Sequence, residues 1–210
     1  MDTRESYDAA AEAYAEHLAT ELDGKPLDRH LLNRFAESLR GRGLVADVGC
    51  GPGHVTRYLQ EQGVDVVGID LSAEMIAVAS RLNPGLRFRV GDMRRLDLAD
   101  ASLAGVVCFY SIVHFERAEL PAILGEMRRI LAPGGLALIS FHIGDQVVQV
   151  EDLFGVPVSL SFHFHGPGEV VEALRAADLQ VLEHIEREPY EGAEYPSRRC
   201  YLLAKAVQSS

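Results

Sequence analysis

The chain has 210 residues, of which 48% are hydrophobic and 24% charged, and a formal net charge of −11. An acidic chain has no general attraction for phosphate backbones or anionic lipid, which argues against nucleic-acid and membrane partners. The three cysteines, Cys50, Cys108 and Cys200, are odd in number and far apart, which excludes a disulfide framework and a zinc spacing.

The N-terminal stretch is polar and acidic, unlike a signal peptide, and no apolar run reaches membrane-spanning length, so a cytoplasmic protein is expected. Residues 4–22 carry Tyr7, Ala10, Ala11, Tyr14, Leu18 and Leu22 at helical spacing. Gly24-Lys25-Pro26 breaks that pattern, and a second helix is predicted over 27–40, stopped by Gly41 and Gly43. The apolar run 44–49 reads as a buried strand that opens into glycines. A helix over 55–63 follows, then a strand over 64–70 that ends in an acid. Ser72 reads as the N-cap of a helix over 72–82. Strands are predicted at 86–92 and 104–112, a helix at 117–131, and a strand at 136–142. This alternation implies an α/β fold with a mostly parallel sheet covered on both faces.

The last third reads differently. Residues 156–165 alternate strongly and predict one extended strand, followed by a helix over 166–179. Residues 180–190 and 199–207 read as two strands forming an antiparallel pair. Residues 143–165 stand out as an insertion, and 1–210 as a single domain with no linker long enough to divide it.

The first chemical signal is Asp47-Val48-Gly49-Cys50-Gly51-Pro52-Gly53-His54, placed between a strand and a helix. Alternating glycines permit a tight turn and let backbone amides approach a ligand. Asp70, at the end of the next strand, is placed to accept both hydroxyls of a ribose. The spacing is Gly-x-Gly-x-Gly, not the Gly-x-Gly-x-x-Gly of pyrophosphate-binding turns, which favours a nucleoside cofactor without phosphates.

The stretches VADVGCGPGHVTRYL, VVGIDLSAEM, FRVGDMRRLDL, VVCFYSIVHF and RRILAPGGLALISFH occur in order from about residue 44 to 142. In them the chain resembles the class I S-adenosylmethionine-dependent methyltransferases, of the methyltransf-11/25 type and its small-molecule branch. That resemblance implies a Rossmann-like three-layer sandwich, with a mostly parallel seven-stranded sheet and an antiparallel C-terminal strand. It implies S-adenosyl-L-methionine as cofactor. The turn Gly49, Cys50, Gly51 and Gly53 would wrap its methionine part, with Asp47 on the ammonium. Asp70 would take the ribose, Leu71 and Met75 would lie beside the adenine, and Asp92 and Met93 would meet its amino edge. The Phe109 carbonyl would face the ammonium, and Tyr14, with Tyr7 less strongly indicated, would close over the cofactor from a helical lid within 1–40.

A sulfonium is already an activated electrophile, so the expected reaction is direct in-line displacement onto a small-molecule acceptor, driven by placement and desolvation. His114 is the best-placed base and Tyr110 a pocket wall or hydrogen-bond donor. The positions that are acidic in metal-dependent relatives are Phe109, Tyr110 and Ser111 here, so no metal is expected. Cys50 and Cys108 read as small buried hydrophobes. Arg198 and Arg199, just before the last strand, read as a surface pair, with contact to an acidic substrate as the alternative. The acceptor pocket is expected between the N-terminal helix, the 109–115 loop and the 143–165 insertion. Its candidate lining includes Phe154, Phe162, His163, Phe164 and His165, of which strand alternation lets one pair, phenylalanines or histidines, face the pocket. Partners beyond a small molecule are not indicated, and the chain is expected as a monomer or homodimer. Two other classes share part of the pattern: an NAD-dependent oxidoreductase and a noncatalytic cofactor-binding protein.

Overall fold

The computed structural model describes residues 1–192 and 194–207. Positions 193 and 208–210 of the expected 1–210 domain lie outside the described residues. The chain opens with α1 (Thr3–Leu18), a 3₁₀ turn (Glu21–Gly24) and α2 (Pro26–Leu39). The Rossmann-like unit follows: β1 (Val45–Val48), α3 (His54–Glu61), β2 (Val66–Asp70), α4 (Ala73–Leu82), β3 (Arg87–Val90), β4 (Leu103–Phe109), α5 (Leu120–Ile130) and β5 (Leu131–His142). The remainder forms a hairpin of β6 (Val147–Leu153) and β7 (Val156–His163), then α6 (Pro167–Ala176), β8 (Leu179–Arg187) and β9 (Arg199–Ala206).

Seven strands form one sheet in the order β3-β2-β1-β4-β5-β9-β8, and β6 and β7 pair separately. β1 to β5 run parallel, while β9 is antiparallel to both β5 and β8. The expected α/β class and the antiparallel terminal pair are therefore present. Successive strand side chains point to opposite faces, and both faces are apolar. Val45, Val66, Val107 and Leu138 pack with Leu32, Phe35 and Leu39 of α2 and with Val55 and Leu59 of α3. Ala46, Val67, Val106 and Ile139 pack on the other face with Ile123, Leu124 and Met127 of α5 and with Val170 and Leu174 of α6. Such double coverage explains why these strands read as continuous apolar runs.

Several boundaries move for local reasons. α1 stops at Leu18, because Thr20–Gly24 tighten into a 3₁₀ turn with Asp23 N donating to the Thr20 carbonyl. Ser72 caps α4 as predicted, accepting from Met75 N at 3.0 Å. The expected strand over 156–165 ends at His163, and its partner β6 was read only as insertion. β6 alternates between half-buried and exposed positions with no fully buried one, so its apolar signal is weak. α2, grouped with a lid by its position in 1–40, packs instead on the sheet face. None of the described helices is long and apolar enough to cross a membrane.

Candidate active site

The order of the sheet reverses between β1 and β4, the place where open α/β sheets leave a crevice at the carboxyl ends of their strands. A cavity of about 880 Å³ opens there, near the upper end of the roughly 300–1,000 Å³ usual for small-molecule sites. Four parts of the chain enclose it: the strand ends, α1 with the turn after it, the β6–β7 hairpin, and the segment before β9.

The glycine turn is built for close approach. Gly49, Gly51 and Gly53 all have positive φ, at 76°, 50° and 83°, which disfavours any side chain. A Cβ on Gly49 would lie 2.3 Å from Ser111 Cβ, and one on Gly53 would lie 2.6 Å from the Phe88 ring. A Cβ on Gly51 would instead fill the space facing Tyr14, whose ring carbon is 3.5 Å away. The turn thus forms a cradle whose opposite wall is α1.

Two carboxylates flank the cradle. Asp47 is buried, and its Oδ2 accepts from Thr56 Oγ1 at 2.6 Å. Burial pushes its carboxyl up to about 6, against the opposing pull of the Thr56 hydroxyl. Asp70 accepts from Gly51 N at 2.8 Å through Oδ2 and from Ser72 N at 2.9 Å through Oδ1. These bonds hold the carboxylate at the cavity wall. Burial raises its pKa, offset by those amides. Asp92 borders the cavity beyond it, with Oδ1 accepting from Arg94 N.

Tyr14, Asp47, Gly49, Cys50, Gly51, Asp70, Leu71, Met75, Asp92, Met93 and Phe109 all line the cavity. Gly53 shapes the turn from behind, under the Phe88 ring. Cys50 and Cys108 are buried, and burial pushes both thiols up, Cys108 to about 12. They are therefore protonated, and Cys108 Sγ sits 3.0 Å from Ser111 Oγ.

His114 and Tyr110 both reach the cavity, on different sides. Nε2 of His114 is 3.0 Å from the Tyr7 hydroxyl, while Nδ1 is buried without a partner among the described residues. Burial, helped by His163, lowers its pKa to about 4, so the ring is neutral near pH 7. Tyr110 has φ of 54° and its hydroxyl lies 2.8 Å from that of Tyr201. Burial raises the Tyr110 pKa well above the ordinary tyrosine range, so the group is a hydrogen-bonding one.

Strand alternation does not separate the pairs at 162–165 as expected. Phe162 lines the cavity, 5.3 Å from the His114 ring. Phe164 is buried and stacks on His142 at 4.9 Å. His163 faces a shallow groove elsewhere, and buried His165 lies 3.2 Å from the Ile112 carbonyl. The chain leaves the strand at 163, which ends the two-residue period. Arg198 is exposed on Glu186, as read, but Arg199 is 2% exposed and borders the cavity, a correction to the surface-pair reading.

Sequence reasoning also passed over Lys25, Asp28, Glu194 and the role of His142. They come from segments far apart in the chain and meet only in the tertiary structure, so no local spacing marks them. His142, at the end of β5, holds Ser197 Oγ at 2.7 Å through Nδ1.

Residues 45–135 match the family model described as a methyltransferase domain. Over that stretch the chain is similar to the methyltransferase-domain family. The matched stretch holds the glycine turn, Asp70, Asp92 and Phe109. A malonyl-acyl-carrier-protein O-methyltransferase of Pectobacterium atrosepticum is 40% identical over 92 residues, covering 44% of this chain and 36% of that protein. A dTDP-3-amino-3,6-dideoxy-alpha-D-glucopyranose N,N-dimethyltransferase of Streptomyces fradiae is 37% identical over 96 residues, covering 45% and 38%. The chain spans about a third to a half of the length of the curated relatives it matches first. Among solved structures, the cyclase SpnF superposes with a TM-score of 0.74 at 17% identity, covering 98% of this chain and 95% of that one. That likeness shows a shared fold.

Proposed function

We propose that this chain transfers a methyl group from S-adenosyl-L-methionine to a small-molecule acceptor by direct in-line displacement. The observation that carries the reading is the convergence of Asp47, the Gly49–Gly53 cradle, Asp70, Asp92 and Phe109 on one cavity at the point where the sheet order reverses. The donor set fits the cofactor part by part. Asp47 and the Phe109 carbonyl suit an ammonium, Asp70 suits two ribose hydroxyls, and Leu71, Met75 and Met93 give an adenine its apolar surroundings. A Cβ on Gly51 would meet the Tyr14 ring at 3.5 Å, so the glycine keeps the turn free of side chains where it faces α1.

The bound cofactor supplies an electrophilic methyl on a positively charged sulfur, so the chain's task is placement and exclusion of water. α1 and the β6–β7 hairpin form the cover. Ser6 Oγ donates to the Ser159 carbonyl and accepts from Ser159 N, at 3.2 and 3.1 Å. His17 stacks on Phe154 at 3.9 Å. His114 ties that cover to the loop after β4 through Tyr7, and Tyr110 walls the acceptor side. Both are positioning groups in this reading.

Isothermal titration with S-adenosylmethionine, S-adenosylhomocysteine and NAD tests the proposal. One-to-one binding of the first two and none of NAD is expected, together with transfer of labelled methyl to a member of a small-molecule panel. Binding of NAD alone would move the chain to the oxidoreductases. Cofactor binding without transfer to any acceptor would favour a noncatalytic role.

A further inference from the structure

Beyond Tyr110 the cavity runs into a buried ionic wall. Lys25 Nζ lies 2.5 Å from Glu21 Oε1 and 3.5 Å from Glu194 Oε1. Arg187 holds Glu194 at 2.6 and 2.9 Å and Asp28 Oδ2 at 3.1 Å. Arg199 Nε stands 3.2 Å from Glu194 Oε1, outside hydrogen-bond alignment, while its other nitrogens donate to the Ser197 and Tyr195 carbonyls. Three cations thus meet three carboxylates, and the wall carries no surplus charge of either sign.

One acceptor in this wall is left over. Asp28 is 1% exposed and borders the cavity. Its Oδ2 accepts from Arg187 and, at 2.9 Å, from Tyr201 Oη, whereas Oδ1 is buried with no hydrogen-bond partner among the described residues. A buried carboxylate oxygen without a donor is costly and calls for one. Around it the walls are rings: Tyr110 and His142 lie 5.2 Å apart, and Tyr195 stands 6.2 Å from His142 at the rim.

From this we infer that the acceptor subsite takes a neutral aromatic molecule bearing a hydroxyl, whose O–H donates to Asp28 Oδ1 while its ring lies among Tyr110, His142 and Tyr195. The inference rests on the methyltransferase reading for the identity of the other half of the cavity. A carboxylate in the same place would set a further negative charge against Asp28 and Glu194, whose cations are already engaged. A hydroxyl supplies the donor that Asp28 Oδ1 lacks and adds no charge to the wall. Asp28 is in this account a specificity-determining residue, and Lys25 and Arg199 keep its wall neutral.

The test measures binding of phenol, anisole and benzoate to the full chain, with and without S-adenosylhomocysteine, by ligand-observed NMR titration. Phenol should bind roughly tenfold or more tightly than anisole, which has the ring without the donor, because a bond to a charged group is lost. Benzoate should bind more weakly than phenol by at least a similar factor. Asp28→Asn keeps the shape and removes the charge, so it should narrow the gap between phenol and benzoate at least fivefold, while S-adenosylhomocysteine affinity stays within twofold. A purely structural role for Asp28 would leave that ratio unchanged. Should Asp28→Asn fail to fold, the three-ligand series on the native chain still decides. Anisole binding as tightly as phenol, benzoate binding as tightly or more so, or no saturable phenol binding overturns the inference. Failure of S-adenosylhomocysteine to bind overturns the cofactor reading instead, and the phenol order on the free chain then still measures the Asp28 wall.

Discussion

The Tyr7 hydroxyl lies 3.0 Å from Nε2 of His114, across 107 positions of sequence, and ties α1 to the loop that follows β4. The rings also meet edge to face at 5.2 Å. With Nδ1 already unpartnered, Tyr7→Phe leaves both ring nitrogens of His114 without a protein partner. The loss should be about 1 kcal/mol of unfolding free energy, read by urea denaturation. Amide exchange in residues 3–18 should also quicken, and added S-adenosylhomocysteine should slow it again. Equal exchange in variant and native chains would detach α1 from His114.

His114 should also set an acid limit. Its folded pKa of about 4 lies below its ordinary 6.5, so between these values the unfolded chain binds the proton and the folded chain does not. Stability is then fully present above pH 6.5 and falls as the pH drops toward 4. His142, lowered to about 4 by burial and by Arg199 and Lys25, acts in the same direction. His114→Gln should therefore lose less stability than the native chain between pH 7 and pH 5, measured as denaturation midpoints.

Asp47 should trade stability for binding. Its folded pKa of about 6 lies above the ordinary carboxylate value, so the folded chain binds the extra proton between about pH 4 and 6, and stability falls as the pH rises through that window. Asp47→Asn keeps a partner for Thr56 and removes a buried charge, so the variant should melt higher at pH 7. Its affinity for S-adenosylmethionine should fall at least tenfold, about 1.4 kcal/mol. The native chain should lose affinity as the pH drops below about 6. Unchanged affinity in Asp47→Asn would remove Asp47 from the cofactor set.

Asp70→Asn tests the ribose assignment with little cost to the fold, because an amide oxygen can still accept from one of the Gly51 and Ser72 amides. Bonds to a charged group are worth about 1.5–3 kcal/mol each, so the expected dissociation constant rises tenfold or more by calorimetry. A value unchanged from the native chain would reject the assignment.

Gly49→Ala should damage fold and site together. Its φ of 76° resists a side chain, and the new Cβ would lie 2.3 Å from Ser111 Cβ. The strained backbone alone costs of order 1–3 kcal/mol, and displacing Ser111 breaks its bond to the Val48 carbonyl at 2.9 Å. A lowered melting temperature together with weakened cofactor binding is expected. Gly155→Ala also sits at positive φ but meets nothing within 4 Å, and it should leave cofactor binding unchanged.

The fold class and the residues that line the cavity at the strand ends were legible in the sequence because their determinants are local. A short continuous apolar run, a turn that needs positive φ at Gly49, Gly51 and Gly53, and an acid at the end of β2 each announce themselves within a few residues. The antiparallel pairing of β8 and β9 was legible for the same reason. The acceptor half was not. Lys25 reads only as part of the Gly24-Lys25-Pro26 break, and Arg199 as half of a surface pair. Only packing of the segment before β9 against α2 buries Arg199, brings Glu194 onto Lys25 and leaves Asp28 with one unmatched oxygen. The alternation of 156–163 likewise cannot tell where the chain leaves the hairpin: Phe162, still in β7, faces the cavity, and the departure after His163 sends Phe164 to His142. Period and turn chemistry are properties of neighbouring residues, whereas charge pairing and burial depend on which distant segments share a low-dielectric space. That is decided by the tertiary structure alone.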